Sequence, residues 1–311
     1  MDDLLGKRFV VVAGKGGVGR TTVSLVIGKL AALRGKRVLV CLANAPPRYS
    51  DLLEETVLDA KIQEAVGGLH VVNLDPKVCE EEYGLMILHN RILHRLVFGS
   101  RIVRTFLDAV PGLAEWAMLG KATYHALKTS DGGPEYDMVV FDSPATGHGL
   151  DVLALPRAIV SAVPGGRMRE EAELRVALMG DASQCEVVPV TIPEEIPVNE
   201  TIELVAALGR LGLAVRRMVV NMMSSRADAD ELLGHIAGLA EEGVTRPSWL
   251  VPAAAAVRAR QMEKDSLARL AKTVCVPQIE LPALPGGWLH EGSILTLVRA
   301  FEAAFTPKQR A

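Results

Sequence analysis

The residues best suited to chemistry stand together near the start of the chain, in GKGGVGRT, residues 14–21. Gly14, Gly16, Gly17 and Gly19 free the backbone to turn sharply, so that successive amide N–H groups, that of Val18 among them, face one anion. Thr21 and Thr22 follow, and the Thr21 hydroxyl suits a Mg²⁺ ion held against phosphate. The strand-like run RFVVVA (8–13) precedes the loop and a helical pattern (22–34) follows it. The positive end of that helix therefore points at the same anion. One residue departs from the mononucleotide-loop pattern: Arg20 stands where this loop class carries lysine. The alternative is the glycine turn of a dinucleotide fold, because Gly14, Gly16 and Gly19 also fit GxGxxG. That fold needs an acidic residue after the second strand to hold a ribose. Here the stretch is CLANAPP, so the mononucleotide loop is the better reading.

A second cluster lies in VVFDSPATGHG, residues 139–149. Asp142 closes an apolar run, where a carboxylate can hold a water of Mg²⁺. Asp at a strand end is also a common turn former, and only its pairing with the glycine loop gives it chemical weight. Gly147 can bring a backbone N–H against a terminal phosphate. His148 is read as a structural or hydrogen-bonding residue of the same turn, not as a base. No NKxD segment follows the later strands, so the expected nucleotide is ATP, not GTP.

Elements able to position these groups recur along the chain. Apolar runs at 8–13, 37–42, 69–74, 136–141, 185–192, 215–221, 247–251 and 273–281 alternate with helical patterns at 22–34, 198–211, 227–242, 258–272 and 291–305. Most runs are apolar throughout, as strands covered on both faces are. The alternation predicts an α/β fold with a doubly wound, mainly parallel sheet, whose ligands sit beyond the carboxyl ends of the strands. The connection spanning 76–135 is too long for an ordinary crossover. Its apolar spacing, with Arg91, Arg95, Arg101 and Arg104 interleaved, reads as an inserted helical subdomain within a single domain, 1–311.

The whole chain narrows the class. It has 311 residues and a net charge of -3, which offers no electrostatic argument for nucleic acid. Its four cysteines, Cys41, Cys79, Cys185 and Cys275, are dispersed. Three of them, Cys41, Cys185 and Cys275, sit in apolar runs and are expected as buried thiols in strands of a reduced cytoplasmic protein, with no zinc or metalloid site. The acidic start MDDLLGKR does not read as a signal peptide, and no apolar run is long enough to span a membrane.

GKGGVG, with lysine second, resembles the deviant Walker A loop of the ArsA, MinD and ParA group of dimeric ATPases. Residues 139–156, with an Asp and a TGH turn, VTIPEEIPVNET (190–201), VVNMM (219–223) and VPGLAEWAMLGK (110–121) narrow the resemblance to the ArsA family. That family contains the arsenite-efflux ATPase and the targeting factor for tail-anchored membrane proteins. The resemblance covers nearly the whole chain and implies an ATP- and Mg²⁺-dependent ATPase working as a dimer, with itself or with a related ATPase. It further implies that Lys15 reaches across to the partner's nucleotide, and that Asn221 and the backbone near Pro252 contact adenine. A membrane-associated protein client seated on the insert is one implication. Packing of Leu88, Leu96, Phe106 and Trp116 into a core is the simpler reading of the same residues.

Two positions depart from the family. Arg20 replaces the loop lysine with a wider, planar cation. Asn44 stands where the family carries the aspartate that orients the attacking water, and an amide cannot take up a developing proton. Together they predict slow hydrolysis, or a nucleotide-binding regulatory subunit that relies on a partner.

Overall fold

The structure is a computed structural model, and it describes residues 2–46, 49–50, 53, 58–65, 68–88, 112–130, 132–144, 149–224, 250–284 and 291–305. In chain order the elements are α1 (Asp2–Leu5), β1 (Phe9–Gly14), α2 (Arg20–Leu33), β2 (Val38–Ala43), β3 (Gln63–Ala65), β4 (Leu69–Leu74), α3 (Pro76–Leu88) and α4 (Leu113–Leu127). Then come β5 (Thr129–Ser130), β6 (Gly133–Pro134), β7 (Met138–Asp142), α5 (Gly149–Ala162), α6 (Arg167–Gly180), β8 (Cys185–Thr191) and α7 (Glu195–Arg210). β9 (Met218–Met223), α8 (Leu250–Thr273), β10 (Gln278–Pro282) and α9 (Glu291–Ala303) complete the set.

Eight strands form one sheet in the order β10-β9-β8-β1-β7-β2-β4-β3, and β5 with β6 make a separate small hairpin. Within the large sheet every pairing is parallel except that of β3 with β4. The near-continuous apolar runs are explained by cover on both faces. Along β1, Val10 and Val12 face a layer that includes α2 and α9, while Phe9, Val11 and Ala13 face one built from α4, α5 and α6. β7 repeats the alternation, with Met138 and Val140 on the first face and Val139 and Phe141 on the second. β1 lies between β7 and β8, in register with both. The chain builds outward from β1 to one side, returns through β7, and then builds to the other side. The carboxyl end of β1 is thus the point where the winding reverses, the usual ligand site of such sheets.

The structure corrects two expected strands. PSWLV (247–251) is not a strand at its end, since Leu250 and Val251 open α8. A short apolar run cannot be told from a helix start by periodicity. Here Pro252 falls in the first helical turn, where it is tolerated, and a run of alanines follows. The run at 273–281 shrinks to β10, because Thr273 ends α8 and Val274 N–H still donates to the Leu270 carbonyl at 2.8 Å. The expected helix at 227–242 lies outside the described residues.

Of the expected insert, α3 and α4 are described. Ala117, Leu119 and Ala122 of α4 share a core with Phe9, Val139 and Phe141 of the sheet. Trp116 is fully buried, edge-on to Tyr83, with the Arg175 guanidinium 4.4 Å from its ring centre. Leu96, Phe106 and the four interleaved arginines lie outside the described residues, as does the side chain of Leu88.

Candidate active site

Backbone conformation forms the phosphate loop. Gly17 and Gly19 adopt φ of 89° and 88°, a left-handed region open to glycine at little cost. Gly19 is also pressed against a neighbour, since a Cβ there would lie 2.2 Å from Asn221 Nδ2. Gly14 is confined by the next strand, where a Cβ would meet the Val190 carbonyl oxygen at 2.4 Å. Gly19 is the N-cap of α2 and gives it no side-chain cap, and the first turn of that helix holds no acidic residue. Its first amides are left to an outside acceptor.

Strand register brings the carboxylate to the loop. Val12 of β1 pairs with Asp142 of β7, and Ser143 N–H donates to the Val12 carbonyl at 3.1 Å. Asp142 is buried, and its Oδ2 accepts a 2.6 Å hydrogen bond from the Thr21 hydroxyl. Oδ1 is buried without a hydrogen-bond partner. Burial pushes this carboxyl up to about 6, against the opposing pull of the Arg20 charge and the Thr21 and Ser24 hydroxyls, although the Ser24 hydroxyl makes no hydrogen bond of its own. An oxygen set of this kind, one carboxylate oxygen orphaned and one tied to a threonine hydroxyl, fits a hard cation such as Mg²⁺.

Arg20 is buried beside them. Its Nη1 donates to the Ser143 carbonyl, to the Pro144 carbonyl at 2.8 Å, and distantly to Ser143 Oγ at 3.5 Å. Burial lowers the guanidinium pKa, while Asp142 and Tyr49 act to raise it. Lys15 sits at the outer edge of the loop, half-exposed, with Nζ 2.6 Å from Glu200 Oε1 on α7.

Asn44 follows β2, the strand beside β7, two residues beyond the Leu42 that pairs with Asp142. It holds φ of 51°, a conformation asparagine tolerates better than most residues. Its N–H donates to the Leu74 carbonyl at 3.1 Å. The next residue is clamped by an amide: Ala45 N–H donates to Asn73 Oδ1 at 2.8 Å and Asn73 Nδ2 donates to the Ala45 carbonyl at 2.9 Å.

On β9, Asn221 is buried and its Nδ2 donates to the Val18 carbonyl of the loop at 3.0 Å. Thus Gly14, Lys15, Gly16, Gly17, Val18, Gly19, Arg20, Thr21, Thr22, Asp142 and Asn221 converge on one end of the sheet, with Asn44 on the neighbouring strand end. Pro252 lies in the first turn of α8, and Gly147 and His148 lie outside the described residues. Sequence reasoning missed Asn73 and Glu200. An asparagine inside the otherwise apolar LHVVNL was the available signal for the first, and nothing local marked the second.

Residues 7–164, about half of the chain, match the model of the anion-transporting ATPase family, ArsA. The chain belongs to the ArsA family. Among its relatives, the ATPase BagA of Mycobacterium tuberculosis is 25% identical over 308 residues, covering 91% of this chain and 89% of BagA. A putative arsenical pump-driving ATPase of Halobacterium salinarum is 26% identical over 228 residues, 68% of this chain but 34% of that protein. The arsenical pump-driving ATPase of Escherichia coli is 22% identical over 71% of this chain and 40% of its own length. The protein is therefore an ArsA-family ATPase on a P-loop type of α/β fold, and its glycine loop and Asp142 lie within the matched residues.

Proposed function

We propose that this ArsA-family ATPase binds Mg²⁺ and ATP in the loop Gly14–Thr22, hydrolyses the nucleotide slowly, and works as one half of a nucleotide-gated dimer. The observation that carries the reading is the Thr21–Asp142 pair beneath the glycine loop, with Asp142 Oδ1 left unbonded. Thr21 and Asp142 would hold Mg²⁺, which when bound neutralises phosphate charge. The amides of Gly14–Thr21 and the start of α2 hold the phosphates. Asn221, fixed against the loop at Val18, stands ready at the base side. Asn44 orients a water with an amide in place of a carboxylate, and this supports slow turnover. The partly exposed Lys15 supports a role at an interface, with a second copy or a related ATPase. Buried thiols and the lack, among the described residues, of a helix long and apolar enough to cross a membrane accord with a cytoplasmic protein.

Calorimetry with Mg²⁺ and ATP, ADP or GTP tests the binding step, and sedimentation with and without ATP tests the dimer. Binding of adenine nucleotides at least tenfold tighter than GTP, with ATP-dependent dimers, is the expected result. Equal affinity for ATP and GTP, or a monomer at every nucleotide concentration, contradicts it.

A further inference from the structure

The residue that departs most from the loop pattern has an unexpected set of partners. Arg20 is the first residue of α2, and its side chain does not run along the glycine loop. It turns toward β7, where Nη1 is shared between the carbonyls of Ser143 and Pro144. Both carbonyls lie just past the end of the strand. Ser143 N–H still bonds back to Val12, but Pro144 has no N–H and ends the ladder. Ser143 and Pro144 are both buried, and buried carbonyls need donors. Arg20 supplies them. The adjacent Thr21 holds Asp142. Two consecutive residues of one helix therefore grip three consecutive residues of the strand end.

We propose that Arg20 is a positioning residue that fastens the strand end Asp142–Ser143–Pro144 to the start of α2, and is not a ligand of the phosphates. Lysine fills this role poorly. Its ammonium is one bond nearer the backbone than an arginine Nη, and it is a compact, strongly hydrated charge that prefers water to buried carbonyls. Arginine also stays charged when buried, so it serves as a lasting counter-charge to Asp142. In sequence, Pro144 is followed three residues later by Gly147, the residue expected to meet a terminal phosphate. A fastened strand end hands that segment a fixed starting point. Phosphate affinity then rests on the loop amides and the N-terminal start of α2. This last step relies on the nucleotide-loop reading above; the fastening itself does not.

The test uses the full chain and the variants Arg20→Gln and Arg20→Lys. Amide hydrogen exchange is followed without nucleotide in the peptide that starts at Ser143 and runs into α5, with peptides from β8 and β9 as references. Loss of two buried hydrogen bonds should speed local exchange about 10- to 100-fold in R20Q, leave the reference peptides unchanged, and give R20K an intermediate value. ADP affinity by calorimetry should stay within about threefold of wild type, while the single-turnover rate falls, a split that a ligand of the ADP phosphates would not give. Unchanged local exchange in both variants overturns the proposal. So does a loss of about 100-fold in ADP affinity with the rate at saturation preserved. Should R20Q fail to fold, R20K carries the same comparison. A wild type that binds no nucleotide refutes the proposed function instead, and the exchange measurement still decides the role of Arg20.

Discussion

Replacing Asp142 with asparagine should stabilise the nucleotide-free protein while removing the carboxylate of the proposed cation site. The carboxyl is buried, and burial raises it from an ordinary 3.8 to about 6. The sign follows from proton binding. Between those two values the folded state holds more protons than the unfolded state, so stability falls as pH rises through the window and is flat above it. The full cost of ionising the group in the folded protein is roughly 3 kcal/mol. Asparagine removes that cost but leaves an amide N–H₂ where Oδ1 has no partner, which returns about 1–2 kcal/mol. The net gain is about 1–2 kcal/mol near pH 8, a rise of roughly 1.5–3 °C in Tm for a domain of this size. Below pH 4.5 the wild-type carboxyl is itself neutral, and the advantage should vanish or reverse. Thermal denaturation of both proteins in a chelator, from pH 4.5 to 8, measures the difference. A Tm difference that does not change with pH, or a D142N protein less stable at pH 8, would refute the reasoning.

Other expectations concern the loop and the thiols. Gly19→Ala forces a side chain onto a left-handed backbone and into Asn221 Nδ2 at 2.2 Å, so it should abolish nucleotide binding by calorimetry while costing on the order of 1–3 kcal/mol of stability; unchanged binding would contradict the described packing. Cys41, Cys79 and Cys185 are buried and their thiols are pushed up, Cys79 and Cys185 to about 12, whereas Cys275, expected in a buried strand, is exposed because it falls between α8 and β10. One thiol per chain should therefore react quickly with an aromatic disulfide reagent in the native state and four after denaturation, and arsenite should not stimulate hydrolysis. Fast reaction of two or more thiols, or activation by arsenite, would count against buried, unreactive cysteines. At the proposed site, Mg²⁺ takes the ionised form of Asp142, so the affinity for Mg²⁺ with ADP should drop about tenfold for each pH unit below 6; titration calorimetry at pH 5 and 7.5 reads this directly.

The sheet and the loop were legible because both are local in sequence. Six glycine-loop positions between Gly14 and Thr21 carry their geometry in their residue types, and the apolar runs that became β1, β2, β4, β7 and β8 are too continuous to be half-exposed. Asp142 could be placed because it is the last residue of the strand that carries it. The end of PSWLV failed as a strand because four or five apolar residues have no distinguishing period. β3, only three residues long with two of them polar, carried no signal at all. The partners of Arg20, Lys15 and Asn44 were not legible for a different reason. Ser143, Glu200 and Leu74 lie 123, 185 and 30 positions away from them, and their approach depends on strand order and register, which no local pattern encodes. Arg20 shows the consequence. Its residue type announced a departure from the family, but the direction of its side chain emerged only when β7 was seen beside β1.

Single-turnover hydrolysis of Mg²⁺ and ATP by wild type and Asn44→Asp tests the proposal that Asn44 holds back hydrolysis in this ArsA-family ATPase. Aspartate tolerates the left-handed φ of 51° at this position, and the Asn73 clamp on Ala45 is untouched, so the fold should not change. The variant should hydrolyse roughly 10²–10³ times faster, the usual weight of one charge-orienting group, with ATP affinity within about threefold of wild type. A wild type that already turns over at about 1 s⁻¹ or more, with N44D no faster, would contradict the account.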